Sequence, residues 1–305
     1  MALADLLSRK LVIVTGKGGV GKTTVTAAIA RALAAAGRRV LVCEIVPTSE
    51  TPSQVTHALG GPAPGEEPVR VEPNIDVVLL TPTMGHRRFL QDTLPLKVLA
   101  DAAMRSQGLK RFLIAAPGFS DMGVLYRAVD FMRKPLWDTM VLDSPATGHA
   151  LALAQIPEFL ARVILKGPIA RVAREGVATL TDPAITTAVV VTLPETLPVT
   201  EALELAKGLE KHRLPVTGVI VNRVPKDPFS ADERAAVKKL VAHGSSVLGG
   251  RELSRIERSA AALQLLRERG GRQLFELEEL EIRGPELSRE LAVRLSSALP
   301  PSALR

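Results

Sequence analysis

The chain has 305 residues, 46% hydrophobic but only 3% aromatic, so a large core has to be built from Ala, Val, Leu and Ile in one large or two small α/β domains. A formal charge of +7 fits a basic solvated surface, an acidic protein partner or an anionic membrane face, whereas the absence of long Lys/Arg runs and the scarcity of stacking aromatics argue against nucleic acid. One cysteine, Cys43, excludes an internal disulfide or a CxxC zinc pair, and no signal-peptide pattern or run of about 18 apolar residues is present, which together predict a soluble cytoplasmic protein without zinc.

Strand and helix patterns alternate along the chain. A buried strand at residues 11–15 leads into an Ala-rich helix at 22–36 that Gly37 stops. Strands follow at residues 40–45 and 75–80, with a polar, Pro-containing loop to Ser53 and a surface loop at 60–68 between them. Helical patterns at 95–107 and 123–133 precede a strand at 139–143, and an apolar helix spans 151–165. Strands at 187–193 and 216–222 bracket a helix at 198–212. Helices at 231–243, 255–269 and 285–299 and a weaker strand at 272–277 complete the pattern. Continuous apolar strands separated by helices predict a doubly wound, mostly parallel sheet with helices on both faces. The whole chain, residues 1–305, reads as one domain, with 83–133 and 151–182 contributing a small helical subdomain.

The first strand ends in Gly16-Lys17-Gly18-Gly19-Val20-Gly21-Lys22-Thr23, which satisfies G-x-x-x-x-G-K-[ST] in the strand–loop–helix setting that motif requires. Its glycines let backbone N–H groups wrap phosphates at the positive end of the following helix. The motif assigns Lys22 to the β- and γ-phosphates of ATP, the Thr23 hydroxyl to Mg²⁺, and Thr24 to the α-phosphate. Asp143, at a strand end, is the expected second Mg²⁺ holder, through water. Asn222 closes a strand and is expected to face the base. Pro225 stands three residues later, where a guanine-selective loop carries an acid, so ATP is favoured over GTP.

A second lysine, Lys17, has no role in an ordinary phosphate loop. The string "KGGVGKTT" resembles the deviant phosphate loop of the MinD, ParA, nitrogenase-iron-protein and arsenite-pump ATPases. "LDSPATGHAL" at 142–151 resembles the second switch of the arsenite-pump and tail-anchored-protein-targeting ATPases, matching at Pro145, Thr147, Gly148 and His149. "APGFSDM" at 116–122 and the stretch 191–224 are similar to further segments of the same branch. The resemblance implies a homodimer closing around two nucleotides, with Lys17 reaching the partner's triphosphate, where an added cation favours phosphoryl transfer. It also implies an unidentified client or partner.

Departures from that pattern open alternatives. Val46 stands where the branch carries the Asp that orients the attacking water. Glu44, two residues earlier on the same strand face, Glu50 and Asp121 are the candidate substitutes; failing those, the protein is an ATP-binding scaffold with little turnover. One cysteine cannot supply three thiolates, so arsenite is not expected as an activator. The helix at 151–165 lacks the methionines of an adaptable client groove and reads as core packing, the alternative being a reduced client surface shared with residues 83–109. His149 reads as structural rather than catalytic. Leu287, Leu291, Leu295 and Leu299 recur on the last helix, which either packs on its own domain or, as in a MinD/ParA-like positioning factor, lies on a membrane.

Overall fold

The computed structural model describes residues 6, 8–93, 107, 119–145, 148–163, 165–243 and 249–297. Eight strands form one sheet in the order β3-β4-β2-β5-β1-β6-β7-β8. These are β1 (Leu11–Gly16), β2 (Val40–Ile45), β3 (Val69–Glu72), β4 (Ile75–Leu80), β5 (Thr139–Asp143), β6 (Thr186–Thr192), β7 (Val216–Val224) and β8 (Gln273–Glu278). Every pairing is parallel except that of β3 with β4. The doubly wound sheet is as the apolar strand runs predict.

The helices are α1 (Lys22–Ala35), α2 (Gln54–Leu59), α3 (Pro82–Thr93), α4 (Phe119–Met132), α5 (Gly148–Val163), α6 (Pro168–Thr181), α7 (Thr196–Lys211), α8 (Ala231–Ala242), α9 (Gly250–Gly270) and α10 (Gly284–Ser297). Alternate strand residues serve opposite faces. Ile13, Leu41, Cys43, Leu142, Val190 and Val219 bury against α4, α5, α6, α7 and α9. Val12, Val14, Val42, Val141, Val189 and Ile220 bury against α1, α2 and α10. The α4–α6 helices belong to the same apolar cluster as the sheet, with Leu153, Ala154 and Leu160 of α5 buried in it. Phe159 of α5 stays exposed.

The first strand of the hairpin at residues 69–80 falls between the loop predicted at 60–68 and the strand predicted at 75–80, where the sequence predicts no element. β3 is a four-residue edge strand with little burial, and Asn74 closes the turn at φ 63, a value Asn tolerates. The short helix α2 also escapes periodicity; it exists because Ser53 caps it, accepting from Thr56 N at 3.0 Å. The helix predicted at 95–107 lies outside the described residues, apart from Gln107. So do residues 116–118 and 146–147 of the two family-like segments; of His149 only the backbone, in the first turn of α5, is described.

The last helix packs on its own domain. Leu291, Ala292 and Leu295 of α10 are buried with α1 and α2 residues. Arg31, itself 7% exposed, ties the junction: it pairs with Glu72 at 2.6 Å and donates to the carbonyls of Leu59 and Pro285 at 2.8 Å each and to Ser288 Oγ. Among the described residues no helix is long and apolar enough to cross a membrane.

Candidate active site

Sheet order places the loop after β1 between the carboxyl ends of β5 and β6, at the point where the chain winds in opposite directions. Ligands of open α/β sheets bind there. Gly16 leaves β1 where an added Cβ would stand 2.1 Å from the Val191 carbonyl oxygen, so only glycine lets the loop turn against β6. Gly21 caps α1 at φ 91 and lies so close to Asn222 that a Cβ would meet its Nδ2 at 2.4 Å. Gly18 and Gly19 have open space where a side chain would be, which leaves the loop's concave side clear. Val20, between Gly19 and Gly21, is buried.

Beneath the loop, Asp143 joins two elements distant in sequence. Its Oδ2 accepts from Thr23 Oγ1 at 2.7 Å and its Oδ1 from Thr26 Oγ1 at 3.1 Å. Thr26 is one turn after Thr23 on α1, so both hydroxyls face the carboxylate. Asp143 is 6% exposed, and burial pushes its carboxyl up to about 6. The Thr23 and Thr26 hydroxyls and the Lys22 charge pull it down; Glu44, opposite it in register on β2, pushes it further up. Lys22 is held below its usual range by burial, with Asp143 opposing, and its Nζ donates to the Lys17 carbonyl at 2.8 Å.

These residues fit a magnesium nucleotide. A dication beside Asp143 would offset the cost of burying that carboxylate next to Glu44. Two buried hydroxyls at the same strand ends, Thr15 and Ser144, have no hydrogen-bond partner among the described residues. No group of three or more His, Cys, Asp or Glu stands within metal-binding reach among the described residues, so Mg²⁺ would rest on Thr23, Asp143, phosphate and water.

The remaining predicted residues have more specific surroundings than their types reveal. Asn222 Nδ2 donates to the Val20 carbonyl at 2.9 Å, bracing the loop from β7. With Thr24 and Leu280 it also lines a cavity of about 360 Å³ beside the loop. Lys17 pairs with Glu201 of α7 and is half exposed. Glu44 is buried, and both its oxygens are engaged: Oε1 accepts from Gln54 N at 2.9 Å, and Oε2 from Ser53 Oγ and Val55 N. It caps α2. Val46 is 5% exposed and its N–H donates to Leu80 O at 3.0 Å, so its side chain is part of the core. Glu50 is exposed on the loop after β2, and Asp121 is in the first turn of α4. Thr26 was not singled out from the sequence, although its spacing of three from Thr23 puts it on the same face of α1. Nor was Glu201, 184 positions from Lys17.

The profile of the family described as Anion-transporting ATPase matches residues 9–168 and 168–242. The chain belongs to that family. Among curated relatives it is 31% identical to ATPase BagA of Mycobacterium tuberculosis over 226 residues, 70% of this chain and 65% of the relative. It is 31% identical to the arsenical pump-driving ATPase of Escherichia coli over 229 residues, and 30% to that of Acidiphilium multivorum over 228. Those matches cover 72% of this chain but only 36% of each pump ATPase. The chain thus spans about a third of the anion-transporting ATPases named as pump drivers and just under two thirds of the mycobacterial one.

Proposed function

We propose that this anion-transporting ATPase family member is a Mg²⁺-dependent ATPase switch that closes as a homodimer on ATP and acts on a protein client or partner. The observation that carries the reading is the Thr23–Asp143 contact. It brings a phosphate-loop hydroxyl and a strand-end carboxylate, 120 residues apart, to 2.7 Å. In the proposed site the loop N–H groups and Lys22 hold the phosphate chain. Thr24 contacts the α-phosphate, and the base enters the cavity lined by Asn222 and Leu280. Thr23 and Asp143 hold Mg²⁺, whose chemistry is to neutralise charge developing on the transferring phosphoryl group.

Lys17 is the dimer element. In the single chain it rests on Glu201, so closing the dimer means exchanging that carboxylate for the partner's triphosphate. The exchange is inexpensive, because an exposed pair of this kind is worth about 0.2–1 kcal/mol. Phosphate release from ATP with Mg²⁺ tests the reading. Lys22→Ala is expected to lose nucleotide binding. Asp143→Asn is expected to lose the Mg²⁺ dependence. Lys17→Ala is expected to bind ATP normally and turn over about a hundredfold or more slowly, the scale on which a trans cation acts. Normal turnover in Lys17→Ala would refute the shared-site mechanism.

Slow turnover is a second reading with its own support. Val46 is packed in the core and Glu44 is spent capping α2. Neither is disposed to orient water. The expected result is tight ATP binding with slow phosphate release, accelerated in Val46→Asp; a variant no faster than the parent would argue that another carboxylate already does the work. The membrane-positioning reading has less support, since the apolar side of α10 is covered by α1 and α2.

A further inference from the structure

A second, larger cavity of about 460 Å³ opens at the carboxyl ends of β6, β7 and β8, between the start of α7 and the side of α9. Its origin lies in β7. Pairing with β8 slips between Val221 and Val224, and Arg223 adopts a left-handed backbone at φ 58. A bulge re-aims successive side chains. Here Asn222 turns to the phosphate loop, while Arg223 lines both the larger cavity and the smaller one beside that loop. A non-glycine residue at such a φ is strained, and strain of this kind clusters at functional sites.

From α9 the wall receives Arg255, Arg258 and Ser259. Arg255 is already committed to Glu279 and Glu252. Arg223 and Arg258 have no hydrogen-bond or carboxylate partner among the described residues. Ser259 is 4% exposed, and its hydroxyl has no hydrogen-bond partner among the described residues. A buried hydroxyl left unpaired is costly, and a ligand's acceptor atom would restore its bond. Among the described residues no aromatic side chain lines the cavity to stack a base.

We propose that this cavity is a second ligand site, distinct from the phosphate loop, that takes a small phosphorylated molecule with its phosphate between Arg223 and Arg258 and bonded to the Ser259 hydroxyl. Two guanidinium forks and a hydroxyl donor suit a tetrahedral oxyanion, which accepts bidentate donors from more than one side. The volume lies within the range of small-molecule sites. Arg223 and Glu279 line both cavities, and Asn222, next to Arg223, holds Val20 in the phosphate loop. Occupancy is therefore coupled to nucleotide affinity through the β7 bulge, and the coupling is reciprocal.

Pyrophosphate titrated calorimetrically into the full-length Lys22→Ala protein tests the site, because that variant removes the loop lysine as a competing anchor. One saturable event is expected. Arg223→Ala and Arg258→Ala, both at exposed positions, should each weaken it about tenfold or more, and Ser259→Ala several-fold, with unfolding midpoints confirming that each variant folds. In the otherwise unaltered protein, Arg258→Ala should leave ATP affinity at its normal value. No saturable pyrophosphate binding in Lys22→Ala, binding indifferent to Arg258→Ala, or a loss of ATP binding in Arg258→Ala alone would each overturn the proposal. The first two results leave the ATPase reading intact; failure of ATP binding in the unaltered protein would overturn that reading without touching this one.

Discussion

Gly21 and Asn222 show how a phosphate loop is held as well as composed. The glycine stands at φ 91 with the Asn amide against it, and the amide donates to the Val20 carbonyl one residue earlier. Gly21→Ala is expected to destabilise the fold by about 1–3 kcal/mol, because it combines backbone strain with a collision. Asn222→Ala leaves the Val20 carbonyl without its donor and is expected to cost about 1–3 kcal/mol as well. Thermal unfolding reads both, and ATP affinity should fall in parallel. Melting temperatures unchanged from the parent would mean that the loop does not depend on β7. The sequence singles out the loop glycines, Lys22, Thr23 and Asp143, because a phosphate cradle tolerates few residue types, and the structure brings Thr23 and Asp143 together. The roles of Glu44 and Glu201 were not legible. A carboxylate's function is set by the donors around it, and those come from residues 53–55 in one case and from Lys17 in the other.

At the scale of elements, apolar periodicity located seven of the strands; it delimited neither α3 nor α6 within the helical stretches 83–133 and 151–182, and it failed for β3 and α2, which are too short to bury a face of their own. Arg31 is the junction that makes such pieces stable, joining α1 to β3 and to the carbonyls of Leu59 and Pro285. Arg31→Met is expected to lower stability by about 3 kcal/mol, since it strands buried acceptors and a partly buried Glu72. Urea unfolding should show a lower midpoint at unchanged slope. Amide exchange in α10 should rise if that helix is held from α1, and uniform protection would show otherwise. The pair at the starts of β2 and β5 carries a pH dependence. Arg39 donates to Asp138 from its guanidinium and its backbone N–H, and those bonds lower the Asp138 carboxyl from 3.8 to about 2. A depressed carboxylate stabilises the fold above its unfolded value and loses that contribution as pH falls through the folded one. Stability should therefore decline from about pH 4 toward pH 2, and Asp138→Asn should flatten that part of the acid-unfolding curve.

For the whole molecule, the proposed cycle makes assembly the readout. Light scattering is expected to find monomers without nucleotide and dimers with a non-hydrolysable ATP analogue and Mg²⁺, with Lys22→Ala monomeric in both. Glu201→Ala frees Lys17 from its pair and is expected to reduce the analogue concentration for half-maximal dimerisation by no more than about fivefold, in keeping with an exposed ion pair; a larger change would make the pair a lock. The sequence by itself determined the doubly wound sheet, the phosphate loop and the family, because alternating apolar runs and a glycine–lysine turn are local patterns. Only the tertiary structure decided that Glu44 caps α2, that Lys17 rests on α7, that α10 is bound to the body, and that a bulge in β7 sends Arg223 toward a second cavity. Each of those depends on which distant segments meet at the carboxyl edge of the sheet, and that juxtaposition is a property of strand order rather than of any short run of residues.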